Sequence, residues 1–461
     1  MTRSRRVRFT LAVNRETLLA LSKDDLVALV LAMQAEVEAL RAQVVELQAR
    51  LNAPPKTPDN SSTPPSRGEK PNRPDRRKKR RRGHPGVSRA LAEHPDRVIE
   101  ATLAACPHCA HPLVAEDQPG VHAYDHIDLP VVRPVVTRIN RHSGSCPYCG
   151  RQVTAPAPEG LEPGSPFGPG LCALIIHLHV TQAIGFERLA RLLAEVFGLR
   201  ISEGAIANIL ARAQAPLLAA AAPIAAAVRA SPVVGCDETS ARVGGKSWWQ
   251  WVLLSSTAIC HLIVPHRAAA VVAEFLAGAR PEVWVADRYA GQAGHGAVRQ
   301  LCLAHLLRDA QYAIDEGDSA FALGFKLLLL RAMSIGRRRP KLKDSTLDQY
   351  HGDLERRLDR LLAHPPDTPA ARRLFNAMRR DRDDLFRFVT RRDVPYTNNA
   401  CERALRPSVI FRKVTGCFRS LWGANVYAAA ASVIATGRLY GLTALNALAN
   451  ALAGTPIMRA A

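Results

Sequence analysis

Val233-Val234-Gly235-Cys236-Asp237 is an apolar run that ends in a carboxylate, and Val283-Trp284-Val285-Ala286-Asp287 is a second run of the same kind. Short stretches so rich in β-branched and aromatic residues predict buried strands. A Gly244-Gly245 turn follows the first run. Trp248 to Leu254 then reads as a second strand, Ala258 to Val264 as a third, and Ala268 to Leu276 carries a helical pattern. The order is β-β-β-α-β, with two hairpins. If the two strands that end in aspartate are neighbours, Asp237 and Asp287 lie side by side. Successive strand residues point to opposite faces, so Asp237 and Glu238 cannot both enter one site, and Asp237 is the candidate.

Paired carboxylates of this kind bind divalent metal. Hard oxygen donors and open coordination positions suit Mg²⁺ or Mn²⁺, and two such ions can activate a water or a 3′-hydroxyl and stabilise the leaving oxygen of a phosphodiester. A third carboxylate is needed, and Glu402 is the best candidate. It stands in Thr397-Asn398-Asn399-Ala400-Cys401-Glu402-Arg403-Ala404-Leu405-Arg406-Pro407, where the asparagines can cap a helix whose first turn carries Glu402.

Upstream, Leu26, Met33, Leu40 and Leu47 take d positions and Val30, Val37, Val44 and Leu51 take a positions of an unbroken 3.5-residue repeat over 22–52. Valine at a with leucine at d favours a parallel two-stranded coiled coil, with Glu36 at g set to pair with Arg41 at e of a partner. A homodimer or a higher oligomer follows. Residues 53–86 are rich in Pro, Ser and Arg, and their prolines exclude regular helix or sheet, so they form a linker. Its basic run Arg76, Arg77, Lys78, Lys79, Arg80, Arg81 and Arg82 suits a phosphate backbone.

Cys106-Pro-His-Cys109 and Cys146-Pro-Tyr-Cys149 follow, inside a segment bounded at 98–155. Four thiolates at this spacing can close a tetrahedral Zn²⁺ site that organises a module with little core of its own. His108 and His111 are surface histidines beside it. Over 165–230 three helical patterns succeed one another: Leu171 to Thr181, Phe186 to Phe197, and Glu203 to Ala213 after a break at Gly198-Leu199-Arg200. Ser202 is the expected N-cap, and the arrangement has the form of a helix-turn-helix. Asn208 and Arg212 are the residues of its last helix suited to DNA, beside the core-like Ile206, Ile209 and Leu210.

Composition sets the wider limits. The 461 residues are 47% hydrophobic and 22% charged, which excludes a wholly disordered chain. Lys plus Arg number 62 against 41 Asp plus Glu, a net charge of +21 that points to a polyanionic partner, first of all double-stranded DNA. The charge is concentrated in Arg67–Arg82, Arg331–Lys343 and Arg403–Arg419, the last containing Arg403, Arg406, Arg412 and Lys413. Ten cysteines, four of them in two Cys-x-x-Cys pairs, indicate a reducing cytoplasm rather than a disulfide framework, with the chain associated with the nucleoid. Met1–Val13 lacks the apolar core of a signal peptide, and the Ala-rich runs at 213–228 and 426–435 fall short of a bilayer span, so no membrane is expected. Trp248, Trp249 and Trp251 are expected to be sheet residues with one face exposed. Cys302 and His305 are read as a buried thiol and a core histidine, not a second zinc site.

The segments Cys236-Asp237-Glu238-Thr239, Ala286-Asp287-Arg288-Tyr289-Ala290-Gly291, Gln300 to Asp309 and Thr397 to Pro407, continued by Arg412-Lys413-Val414-Thr415-Gly416, resemble the DDE transposases of insertion-sequence family sixty-six. The resemblance extends through the coiled coil, zinc module and helix-turn-helix in the same order. It implies a multidomain α and α/β chain whose catalytic domain, 231–425, is ribonuclease H-like. It further implies a helical insertion at about 303–392 and Asp237, Asp287 and Glu402 as the metal-binding triad, and a helical element is expected at 426–461. The expected partners are terminal inverted repeats, target DNA and accessory proteins of the element. Two rival readings remain: a zinc-containing DNA-binding regulator without catalysis, and a nuclease of the same fold that cuts without joining.

Overall fold

The computed structural model describes residues 18–61 and 89–458. The chain divides into two compact units, one made of Met1–Glu69 with Gln300–Thr397, the other of Lys70–Arg299 with Asn398–Ala461.

Helix α1 (Lys23–Asn52) starts where Ser22 Oγ accepts the Asp25 N–H at 3.2 Å, and Asp24 and Asp25 in its first turn complement the helix dipole. Leu26 is half-buried, while Val30, Met33, Val37, Leu40, Val44 and Leu47 are exposed. The linker expected from Ala53 onward does not begin as free chain. Asn60 is buried: its Oδ1 accepts the Thr57 N–H at 2.7 Å, and its Nδ2 donates to the Pro55 carbonyl and, at 2.8 Å, to Asp315 Oδ2. An asparagine that closes its own turn leaves an N–H to dock on a distant carboxylate, and the prolines around it do not oppose this.

Two equivalent turns follow in the larger unit. The Cys106 N–H donates to the His111 carbonyl and the Ala110 N–H to the Cys106 carbonyl. The Cys146 N–H donates to Arg151 and the Gly150 N–H to Cys146, inside the hairpin of β1 (Ser143–Ser145) and β2 (Gln152–Thr154). Ala110 and Gly150, each directly after the second cysteine, have φ of 58° and 70°. No residue from 98 to 155 is buried.

Helices α2 (Pro169–Val180), α3 (Phe186–Phe197) and α4 (Glu203–Arg212) come next. Gly198 ends α3 in the left-handed conformation, φ 64°, and Ser202 Oγ caps α4 by accepting the Ala205 N–H at 3.2 Å. Helix α5 (Gln214–Arg229) continues from α4. Together Glu203–Arg229 is long and apolar enough to cross a membrane by length and composition, contrary to the shorter run expected from sequence. Here its Ile206, Ile209, Leu217, Ile224 and Val228 enter the core.

The sheet comprises β3 (Val233–Val243), β4 (Lys246–Leu254), β5 (Ile259–Val264), β6 (Val283–Ala286) and β7 (Val298–Leu301), with α6 (Ala269–Leu276) between β5 and β6. Its order is β5-β4-β3-β6-β7. β3 pairs antiparallel with β4 and parallel with β6. Gly244 and Gly245, φ 56° and 77°, make the tight β3–β4 turn that such dihedrals permit. One hydrophobic core runs from α2–α5 through the sheet, including Trp251 and Trp284. Trp251 is fully buried rather than half-exposed, because its indole N–H finds the His266 carbonyl at 3.3 Å.

The smaller unit continues as α7 (Leu303–Asp315), α8 (Phe321–Arg338), α9 (Asp344–Leu362), α10 (Pro369–Arg380) and α11 (Arg387–Thr390). Phe321 stacks on Phe325 and meets Phe375 edge-on. Cys302 is buried at the start of α7, and His305 is half-buried in its first turn. Part of the basic cluster here is structural. Arg331 pairs with Asp353 at 2.8 Å, and Arg339 donates to the carbonyls of Phe388, Arg391 and Val394. The chain then returns to the larger unit as α12 (Asn399–Thr415), α13 (Leu421–Leu439) and α14 (Ala444–Leu452).

Candidate active site

The register of β3 on β6 decides where the aspartates stand. Val233 pairs with Val283, Val234 with Trp284 and Gly235 with Val285. The same offset of fifty residues, carried two positions further, matches Asp237 to Asp287, just past the end of β6. Neighbouring strands lie about 4.8 Å apart, so a register continued in this way would set the two carboxylates side by side, and the Asp287 charge does act on Asp237.

Alternation along β3 selects what each residue meets. Gly235, Asp237 and Thr239 share one face. On that face a Cβ added at Gly235 would stand 3.1 Å from Cys401 Sγ and 3.4 Å from Asn398 Oδ1, and Thr239 Oγ1 accepts from Arg412 at 3.1 Å. Helix α12 therefore lies against this face. Cys236 and Glu238 point the other way. The absence of a side chain at Gly235 is what lets α12 approach β3 so closely.

The asparagines ahead of Glu402 act differently from the expected caps. Asn398 precedes α12, but its side chain makes no cap. Its Nδ2 donates instead to the Cys236 carbonyl at 2.7 Å, beside Asp237. The Glu402 N–H donates to the Asn398 carbonyl at 3.2 Å, so Glu402 sits one turn above this staple, half-buried. Cys401 and Leu405 pack on Val252, the strand partner of Asp237.

The electrostatics of the three carboxylates converge on Asp237. Burial first, then the charges of Glu238 and Asp287 and finally that of Glu402 push its carboxyl well above the ordinary range, against the Glu238 N–H that donates to its Oδ1 at 2.9 Å. Asp287 Oδ1 accepts the Tyr289 N–H at 2.9 Å. A buried carboxyl whose ionisation is disfavoured by the charges of neighbouring hard oxygen donors has the chemistry to take a divalent cation. Among the described residues, no group of three or more His, Cys, Asp or Glu side chains is drawn close enough to hold a metal ion.

The cysteine pairs also stand apart, Cys106 with Cys109 and Cys146 with Cys149, as two separate half-sites. Each half-site favours thiolate. Backbone N–H groups of His108 and Cys109, then the Cys109 thiol, hold Cys106 below the ordinary thiol value, and Cys149, Tyr148 and the Cys149 thiol do the same for Cys146. Soft donors with lowered pKa on a segment lacking a buried core fit Zn²⁺.

The DNA-binding candidates separate into groups. Arg76, Arg77, Lys78, Lys79, Arg80, Arg81 and Arg82 lie outside the described residues. Asn208 and Arg212 are exposed one turn apart on α4, and Arg403, Arg406 and Lys413 are exposed on α12. Arg412 is engaged with β3: its Nη1 donates to the Ser240 carbonyl as well as to Thr239. The residues that sequence reasoning missed are Asn398 as a staple and the partners of Glu238, which are Arg267 and Gln292. The asparagine pair before Glu402 was the visible signal for the first, whereas nothing in sequence marks Gln292.

No curated protein matches the chain significantly. The sequence model described as "Transposase IS66 family" matches residues 164–426, more than half of the chain, a span that contains the sheet, both aspartates, Glu402 and α12. The chain, in which Asp237 stands on β3, Asp287 directly follows β6 and the glutamate-bearing α12 packs on β3, belongs to the IS66 family of transposases.

Proposed function

We propose that this chain cuts and joins phosphodiesters at the ends of an insertion sequence, with Asp237, Asp287 and Glu402 as its catalytic carboxylates. The observation that supports the reading is the parallel pairing of β3 with β6, whose strands lead into Asp237 and Asp287, with α12 stapled to β3 by Asn398. A sheet antiparallel on one side of β3 and parallel on the other supports a ribonuclease H-like catalytic domain.

Asp237, Asp287 and Glu402 would between them hold two Mg²⁺ or Mn²⁺ ions. Bound metal supplies Lewis-acid activation of the attacking oxygen and stabilisation of the leaving one. The protein's own contribution is positioning: β3 and β6 fix two carboxylates laterally, and the Asn398 staple fixes the third. Water would attack the phosphodiester at the element end and break its P–O3′ bond, freeing a 3′-hydroxyl and leaving a 5′-phosphate on the flanking DNA. That hydroxyl would then attack a target phosphate in line and displace the target's 3′-oxygen, without a covalent protein intermediate.

The remaining modules serve DNA ends and synapsis. The exposed seam of α1 supports pairing with a second copy. The two cysteine turns would share one structural Zn²⁺. Exposed Asn208 and Arg212 on α4, and Arg403, Arg406 and Lys413 on α12, would face double-stranded DNA, with the basic run at 76–82 on phosphates. The test is transposition of a marked element flanked by its terminal inverted repeats, with wild type and with Asp237→Ala, Asp287→Ala and Glu402→Ala. Loss in all three, with folding and end binding kept, is expected. Equal activity of any variant removes that residue from the site, and cutting without joining identifies a nuclease instead.

A further inference from the structure

Glu238 directly follows Asp237 and turns to the opposite face of β3, where its side chain is 2% exposed. Its Oε1 accepts from Arg267 Nε at 2.8 Å and Nη2 at 2.7 Å, and its Oε2 accepts from Gln292 Nε2 at 2.7 Å. Gln292 is fully buried, and its Oε1 accepts the Trp284 indole N–H at 3.2 Å. The Arg267 guanidinium lies 4.0 Å from the Tyr289 ring centroid and 4.8 Å from that of Trp249, and its carbonyl accepts the Tyr289 hydroxyl at 2.6 Å.

These contacts close on Asp287. The turn after β6 begins at Asp287, whose Oδ1 takes the Tyr289 N–H, and runs through Gln292. Tyr289 is held by Arg267, Gln292 by Glu238 and Trp284, and both holds meet on the Glu238 carboxylate. A Cβ at Gly291 would stand 2.5 Å from the Tyr289 ring, so the turn is also shaped to that ring. A carboxylate taken out of water is costly unless every lone pair it presents is used, and here both oxygens are. We infer that Glu238 is a positioning residue, not a metal ligand: it clamps the turn that aims Asp287, and the inference rests on the reading of Asp237, Asp287 and Glu402 as the catalytic set.

Donor and acceptor order provides the test. In Glu238→Gln the new amide N–H₂ meets the N–H₂ of Gln292, and a flip of Gln292 would take the acceptor from Trp284. In the exchange Glu238→Gln with Gln292→Glu, Gln at 238 donates to the new carboxylate at 292, which still accepts from Trp284, and Arg267 keeps an oxygen. Full-length wild type, the single variant, the exchange and Asp287→Ala are compared by Mn²⁺ titration and by hydrogen exchange of a peptide spanning 286–293. Loss of a partner that orients a metal ligand typically costs about 10–100-fold in metal affinity, and that weakening is expected of Glu238→Gln, together with faster exchange in the peptide. The exchange variant should restore both. Restored protection without restored Mn²⁺ affinity would make Glu238 a ligand and overturn the inference, as would unchanged protection in the single variant. If wild type binds no Mn²⁺, or binds it as tightly with Asp287→Ala, the catalytic reading falls, and hydrogen exchange still decides the clamp.

Discussion

Asp237 concentrates the electrostatic strain of the larger unit. Its folded pKa stands above its unfolded value, so the native state holds the proton longer. The stability this carries is full below the ordinary carboxylate pKa near 3.8 and is lost as pH rises through the raised folded value. Ionising the group in the fold is therefore a cost, which the proposed divalent cation would offset. Mg²⁺ is expected to raise the Tm of wild type at pH 7.5, and Asp237→Asn is expected to raise Tm without Mg²⁺ and to abolish the Mg²⁺ effect. Differential scanning calorimetry measures both, at roughly 2–4 °C for each kcal/mol.

His261 on β5 shows the opposite sign. Burial lowers its pKa from 6.5 to about 4. The Gln250 Nε2–His261 Nδ1 contact at 3.2 Å, a Gln250 Nε2 donation to Ser408 Oγ at 2.8 Å and one from the Tyr427 hydroxyl to Ser408 make a buried polar chain around it. Burial raises Tyr427 to about 12, so it stays neutral as well. The unfolded histidine takes its proton first as pH falls, hence stability is lost from about pH 6.5 down to about 4, in all by about 3 kcal/mol. Urea midpoints at pH 7 and pH 5 are expected to differ less in His261→Gln than in wild type.

Among the elements, β5 is one of the two edge strands of the sheet, and α13 meets it with two polar side chains. Ser432 Oγ accepts the His261 N–H at 2.8 Å, and Thr436 Oγ1 accepts the Ile259 N–H at 3.0 Å and donates to the Ile259 carbonyl. Spaced four apart in a helix, they meet alternate residues of a strand, so the edge is closed to another chain. Thr436→Val keeps the shape but leaves buried strand groups unsatisfied, at a cost of about 1–3 kcal/mol, and Ser432→Ala costs a similar amount. Chemical denaturation gives the loss, and light scattering is expected to show more association in the double variant.

For the whole molecule, the exposed valine, leucine and methionine seam of α1 is apolar surface that a second copy would bury. Val37→Lys with Leu40→Glu is expected to convert the oligomer to monomer in sedimentation velocity, with the helical circular dichroism of the remaining chain unchanged. An unchanged sedimentation coefficient would place the oligomer contacts elsewhere.

Much of this architecture was legible in local pattern. Strands expected at 233–237, 248–254, 258–264 and 283–287 stand at Val233–Val243, Lys246–Leu254, Ile259–Val264 and Val283–Ala286, because apolar β-branched runs are a signal carried by a few adjacent residues. The helices at 186–197 and 203–212 are bounded where Gly198 and Ser202 indicate, since caps are local chemistry. The short strand β7 escaped notice: Val298-Arg299-Gln300-Leu301 is too brief and too polar for a pattern, and its buried Gln300 is satisfied by the backbone of Leu385 and Phe388. The same holds for Asn60, read as linker and found buried against Asp315.

Sequence by itself determined the candidate carboxylates, the paired cysteine turns and the membership of the IS66 transposase family, for each of these is written in residue types at short spacing. Tertiary structure decided what those residues face. The parallel pairing of β3 with β6 drew the Asp287 turn towards Asp237, Gly235 and Asn398 brought α12 onto β3, and alternation sent Glu238 to Arg267 and Gln292. Such choices depend on contacts between residues 29 to 162 positions apart, and no local period of a chain encodes which of its distant segments will meet.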